Sequence, residues 1–163
     1  MDRIFEGDPA PTDCFQDLVH IQSEQAIGRT GMEKLVPWMG KASEYLVVLC
    51  DPRVESNELR ESAQLLAIEL PASLLANLIV VTADSPAENR RWLKKSGSMR
   101  VPVYADEKLS WMRAYTALGD DRWSMSVFII AEKRVQKLAR EVDVYSVTRT
   151  VTNAVKSMQQ LRL

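Results

Sequence analysis

Hydrophobic and polar positions alternate along this chain in blocks whose periods can be read directly. Residues 45–50 form a short continuous apolar run, the pattern of a strand covered on both faces, and the run stops at Asp51-Pro52. Ser56 can then cap a helix in which Leu59, Ala63, Leu66, Ala67 and Leu70 recur on one face until Pro71 ends it. Residues 78–82 predict the next strand. Ser85-Pro86-Ala87-Glu88 is a capping box with proline at the first helical position, opening a helix through Trp92 and Leu93 that Lys94-Lys95 and Gly97 close. Residues 101–104 predict a short strand around Pro102, residues 107–118 a helix ended by Gly119, and residues 126–130 an apolar strand. Residues 135–141 alternate well enough to pair with that strand as a hairpin, and Val147, Val151, Val155 and Met158 lie on one stripe of a closing helix. Between 18 and 43 the pattern is least legible; there Thr30-Gly31-Met32-Glu33 can cap a short helix that Pro37 ends or kinks.

Strands alternating with helices, then a hairpin and a last helix, predict an α/β protein with an antiparallel sheet edge, an order similar to that of the thioredoxin-like fold. With 163 residues, 46% of them hydrophobic, the chain reads as one domain over 1–163. Its 21 basic and 22 acidic side chains give no field that would recruit nucleic acid or an anionic membrane. The first residues lack the apolar stretch of an export signal and no apolar run approaches the length of a bilayer span, so a cytoplasmic protein is expected. Cys14 and Cys50 form neither a CxxC motif nor a disulfide framework, and with His20 they cannot assemble a clustered zinc or iron site; no metal and no cofactor are expected. His20, in a mixed polar and apolar stretch, reads as a solvated or hydrogen-bonded histidine.

Five short motifs occur in order along the chain. Gly7-Asp8-Pro9-Ala10-Pro11 resembles a G-x-x-A-P opening, and Val81-Thr82-Ala83-Asp84-Ser85-Pro86 a V-S-x-D-S strand and helix start. Val101 to Asp106 resembles F-P-L-L-S-D, Arg113-Ala114-Tyr115 the A-Y that follows, and Val127-Phe128-Ile129-Ile130 the T-F-I-I-D strand. Together they resemble the peroxiredoxin superfamily of thiol-specific antioxidants and alkyl hydroperoxide reductases. That resemblance implies a thioredoxin-like fold of peroxiredoxin type, with a mixed central sheet flanked by helices.

The family writes its catalytic loop P-x-x-x-[TS]-x-x-C, and here Pro52 and Ser56 are retained while the final position is Leu59. The resemblance places the reactive cysteine in the first helical turn, where the helix dipole and an arginine stabilise the thiolate. Leucine has no lone pair to attack with. The position matching the arginine is Met125, and on a regular strand Arg122 would point to the opposite face unless a bulge or loop re-aimed it. The turn at Ala131-Glu132-Lys133-Arg134 lacks the family's aspartate and glycine, which predicts a longer or different hairpin geometry. No resolving cysteine stands near the last helix.

Cys50 ends an apolar strand and reads as an inert buried thiol, although its place beside Asp51-Pro52 and Arg53 keeps it as an alternative nucleophile; Cys14 ranks below it. Arg53 and Arg60 flank the helix start, where a small anion could sit, against which Glu55, Glu58 and Glu61 are expected to neutralise them. Of Trp38, Trp92, Trp111 and Trp123, the last is expected to line a pocket or a protein contact. These readings point to a peroxiredoxin-like protein that has lost peroxidase chemistry and serves as a binding or assembly module for a protein partner or a second copy of itself. The rival reading is a divergent thiol-dependent oxidoreductase using Cys50.

Overall fold

The structure, a computed structural model, describes residues 3–22, 25–26, 45–97, 99, 101–119 and 122–160. Seven strands among them form one mixed sheet: β1 (Val19–His20), β2 (Gln25–Ala26), β3 (Leu46–Asp51), β4 (Leu78–Thr82), β5 (Val103–Ala105), β6 (Met125–Ala131) and β7 (Arg134–Val142), in the order β2-β1-β5-β4-β3-β6-β7. β3, β4 and β5 are parallel, while β6 is antiparallel to β3, β7 to β6, and β1 to β5. The helices are α1 (Asn57–Glu69), α2 (Ala72–Leu75), α3 (Pro86–Ser96), α4 (Ser110–Ala114) and α5 (Val147–Gln160). This is the thioredoxin-like mixed sheet flanked by helices that the order of elements predicts.

β3, β4 and β6 are buried along their whole length, which is why each reads as a continuous apolar run rather than an alternating one. Alternation still sorts their side chains into two cores. Val47, Leu49, Val80, Val127 and Ile129 face one side, against Leu59, Ala63 and Leu66 of α1 and the Val147, Val151, Val155, Met158 stripe of α5. Leu46, Val48, Cys50, Val81, Phe128 and Ile130 face the other, against Phe15, Trp111 and Tyr115. There Trp111 stacks on Tyr115 at 4.1 Å, with Phe15 and Phe128 packed edge-on around them. The Tyr115 hydroxyl donates to the Pro11 carbonyl at 2.6 Å, tying the G-x-x-A-P segment to this core.

The serine caps hold as read: the hydroxyls of Ser56 and Ser85 accept from the amides of Leu59 and Glu88, at 3.1 and 3.2 Å. Three elements differ from expectation. The helix expected over 107–118 shrinks to Ser110–Ala114, because the Asp106 carboxylate takes the amides of Trp111 and Met112 at its start and Thr116 adopts a left-handed φ of 48° past its end. Residues 72–75 form a one-turn helix where only the stop at Pro71 is evident in the pattern. The β6–β7 hairpin is tight rather than long: Ala131 pairs with Arg134, and Glu132 and Lys133 both take positive φ, 53° and 63°. That is the two-residue turn whose twist matches the strands, built without the usual asparagine and glycine. The expectations for 30–37 and for Trp38 lie outside the described residues.

Both turn residues carry a Cβ in a region that favours glycine and asparagine, so replacing Glu132-Lys133 by Asn-Gly should raise stability by roughly 1 kcal/mol. A urea melt reads this directly. A loss of stability would mean that the wild-type side chains contribute more than their backbone strain costs.

Candidate functional site

The site the sequence points to lies where β3 ends and α1 begins. Asp51, the last residue of β3, is fully buried, and an isolated carboxylate there would be prohibitive. It is instead saturated. Arg53 donates its backbone amide to Oδ1 at 3.0 Å, Nε to Oδ1 at 2.9 Å and Nη2 to Oδ2 at 2.7 Å, while the Ser56 hydroxyl donates to Oδ2 at 2.6 Å. Ser56 thus serves both as helix cap and as a partner of Asp51. Arg53 also reaches Glu58 at 2.9 Å, and these carboxylates, Asp51 foremost, hold its guanidinium protonated beyond its ordinary range.

The second arginine is drawn the other way. Arg60 pairs with Asp84 and Glu88 at 3.3 and 3.2 Å and lies 5.6 Å from the Trp92 ring centroid, so the acidic partners come from the β4–α3 connection rather than from Glu55 and Glu61. Glu55 contributes its backbone: in a left-handed conformation, φ 50°, it donates its amide to Asp84 at 2.7 Å. Thr82, Asp84, Asn89 and Trp92 continue the network, with Thr82 and the Trp92 indole both donating to Asn89 Oδ1. The small-anion site considered at this helix start is therefore occupied by the protein's own carboxylates and hydroxyl.

Leu59 sits one turn into α1, 2% exposed, in the same core cluster as Met125, which is fully buried. Leu59 and Met125 thus belong to one apolar cluster, with neither a thiol nor a guanidinium at either position. An arginine at 125 would place a charge inside that cluster. Arg122 does not compensate. Residues 122–124 are irregular, so the strand-parity argument does not govern them, and Arg122 is exposed beside Ser126 and Arg140 rather than toward Leu59.

Cys50 stands on the other side of the sheet from Leu59, since it belongs with Phe128 and Trp111 while Leu59 belongs with Leu49 and Val127. It is fully buried, its thiol directed to the Ser126 carbonyl at 3.7 Å, and desolvation, aided by the Asp51 charge, pushes its pKa far up. Burial likewise pushes the Cys14 thiol up to about 12. His20 is half-buried on β1, its ring 5.0 Å from that of Tyr104, and desolvation lowers its pKa. Trp123 is 48% exposed, whereas Trp92 and Trp111 are core residues. Among the described residues no cluster of histidine, cysteine or carboxylates could hold a metal ion, and no helix is long and apolar enough to cross a membrane. Asp51 and Asp84, the organising carboxylates, were not among the site residues read from the sequence; the signal for Asp51 is an acid closing an apolar run.

No protein-family model and no curated relative matches the chain. Solved structures do. A peroxiredoxin-like protein from Aquifex aeolicus superposes with a TM-score of 0.66 at 18% identity, covering 94% of this chain and 90% of that one. A cysteine-to-serine variant of PrxQ from Xylella fastidiosa gives 0.72 at 16% identity, over 96% and 98%. A variant of peroxiredoxin 6 from Arenicola marina gives 0.62 at 16%, over 96% and 76%. The chain therefore has the peroxiredoxin fold, reached with a sequence far from those it resembles.

Leu59→Ala should destabilise the protein by about 2–4 kcal/mol, because it empties a closed apolar site rather than trimming a surface. Urea denaturation measures this; an unchanged midpoint would mean that Leu59 is not packed as described.

Proposed function

We propose that this chain is a peroxiredoxin-fold protein without peroxidase chemistry, acting by binding rather than by turnover. The observation that carries this reading is the buried Leu59 at the position where the catalytic motif requires a thiolate. A nucleophile there would need a sulfur, a nearby cation free to stabilise negative charge, and access for peroxide. The site offers none of these: the side chain is hydrocarbon and closed off, and Arg53 and Arg60 are engaged by Asp51, Glu58, Asp84 and Glu88. The remaining thiols do not substitute. Cys50 lies across the sheet behind the Ser126 backbone, and both cysteines are kept protonated by burial.

A binding role fits the rigidity of the region. Saturated hydrogen bonds at Asp51 and two capped helices leave a scaffold with fixed geometry, and the natural occupants of such a surface are a protein partner or a second copy of the chain.

Stopped-flow peroxide consumption tests the reading. Wild-type protein with dithiothreitol as reductant should consume hydrogen peroxide no faster than the same concentration of free cysteine, and Cys50→Ser should leave the trace unchanged. Sulfenic-acid trapping should label neither Cys14 nor Cys50 in the folded protein and both after denaturation. Saturable turnover that Cys50→Ser abolishes would overturn the proposal in favour of a thiol-dependent oxidoreductase.

A further inference from the structure

On the Cys50 side of the sheet, where β6 begins and β7 ends, lies a cavity of about 330 Å³ walled by Arg3, Arg122, Arg140, Ser124, Ser126 and Glu141, together with Gly119. Its size falls at the lower end of small-molecule sites. Among the described residues of its wall, three arginines from three distant parts of the chain stand with one glutamate.

The placement of Arg140 depends on an irregularity in β7. Met125 pairs with Val142 but Val127 pairs with Ala139, so Arg140 and Glu141 together oppose the single residue Ser126. Glu141 takes the strain of this bulge with a left-handed φ of 55°. The guanidinium of Arg140 is then held from behind: it donates to the Thr116 carbonyl and hydroxyl and to the Ile4 carbonyl, and lies 5.8 Å from the centroid of the Phe128 ring. It is a fixed charge with little freedom to turn away.

Two other groups in the wall make no side-chain hydrogen bond to a described residue. Ser126 is only 4% exposed, and its hydroxyl, which hydrogen-bonds to no described residue, opens into the cavity. Arg122 is exposed and enters no hydrogen bond or ion pair with a described residue. Its approach requires Gly119, where φ is +80° and an added Cβ would come within 2.5 Å of the Arg122 carbonyl oxygen. An open guanidinium fork, an enclosed hydroxyl donor and a fixed cation behind them are the donor set that a tetrahedral dianion needs.

We propose that this cavity binds a small phosphorylated molecule, with Arg122 and Ser126 donating to its phosphoryl oxygens and Arg140 supplying the fixed positive charge. Trp123, 48% exposed, stands in sequence between the wall residues Arg122 and Ser124 and serves as a fluorescent reporter near the site. Glu141 repels a second negative group on its side, which favours monoesters over more highly charged ligands. The site is separate from Leu59 and stands whether or not the thiols prove inert.

Titration of the full chain with inorganic phosphate, phenyl phosphate and sodium acetate, followed by tryptophan fluorescence and calorimetry, tests this. Phosphate and phenyl phosphate should bind saturably and acetate not at all, with affinity falling as sodium chloride is raised. Arg122→Gln should weaken phosphate at least tenfold without moving the melting temperature, since that side chain supports nothing in the fold, and Glu141→Gln should tighten it. Absence of saturable binding at millimolar phosphate and phenyl phosphate, or equal affinity in Arg122→Gln, would overturn the proposal.

Discussion

A carboxylate that water cannot reach governs the region between β3 and α1. Asp51 is sealed beneath the end of the sheet, and the desolvation of a charge there must be met by donors held in place. Ser56 and Arg53 meet it, and in doing so they fix the turn from 51 to 56, set the residue at which α1 begins, and determine which side chain the first helical turn presses into the core. Leu59 is buried because the loop before it cannot relax. Arg53 is drawn to Asp51 and Glu58, and Arg60 to Asp84 and Glu88, so both arginines flanking the start of α1 are engaged by carboxylates.

The sheet gives the molecule two unlike sides. One carries the aliphatic contact between α1, α5 and the strands, including Leu59 and Met125; the other carries the aromatic cluster of Phe15, Trp111, Tyr115 and Phe128, and at its margin the arginine-walled cavity. Cys50 and Leu59 lie near each other along the chain and on opposite sides of this partition. The second side holds both cysteines, Cys50 within the aromatic core and Cys14 packed against it, together with the donors and cations of the cavity wall.

Much of this was legible in the sequence, for identifiable reasons. Strands buried on both faces announce themselves as unbroken apolar runs, as 46–50 and 78–81 do, and helices opened by serine with proline or glutamate behind it announce their first turn, as at Ser56 and Ser85. The interest of position 59 comes from the resemblance to the family's catalytic loop, whose proline and hydroxyl positions Pro52 and Ser56 match. What could not be read were features that depend on partners distant in sequence. Nothing near Arg60 indicates that Asp84 and Glu88 will claim it, nothing in Glu132-Lys133 advertises a tight turn, and the shortening of the helix after Asp106 comes from that one carboxylate competing for two backbone amides. Arg3, Arg122 and Arg140 are unremarkable charges until the fold brings them to a common cavity.

The pairing of β6 with β7 behaves like a text with two frame-shifts. Between Ile129 and Ile130 the partner strand holds one extra residue, Gln136, and between Met125 and Val127 it holds another. Each insertion exchanges inside for outside along everything beyond it. Two insertions cancel, so Val135 and Val142 point as they would in an unbroken strand, and only the stretch from Lys137 to Arg140 is read in the opposite frame. Without that inverted stretch Arg140 would turn its guanidinium into the aliphatic side of the sheet. The two irregularities are therefore one device, and a lineage that lost either alone would turn one end of the strand inside out; they can be kept or lost only as a pair.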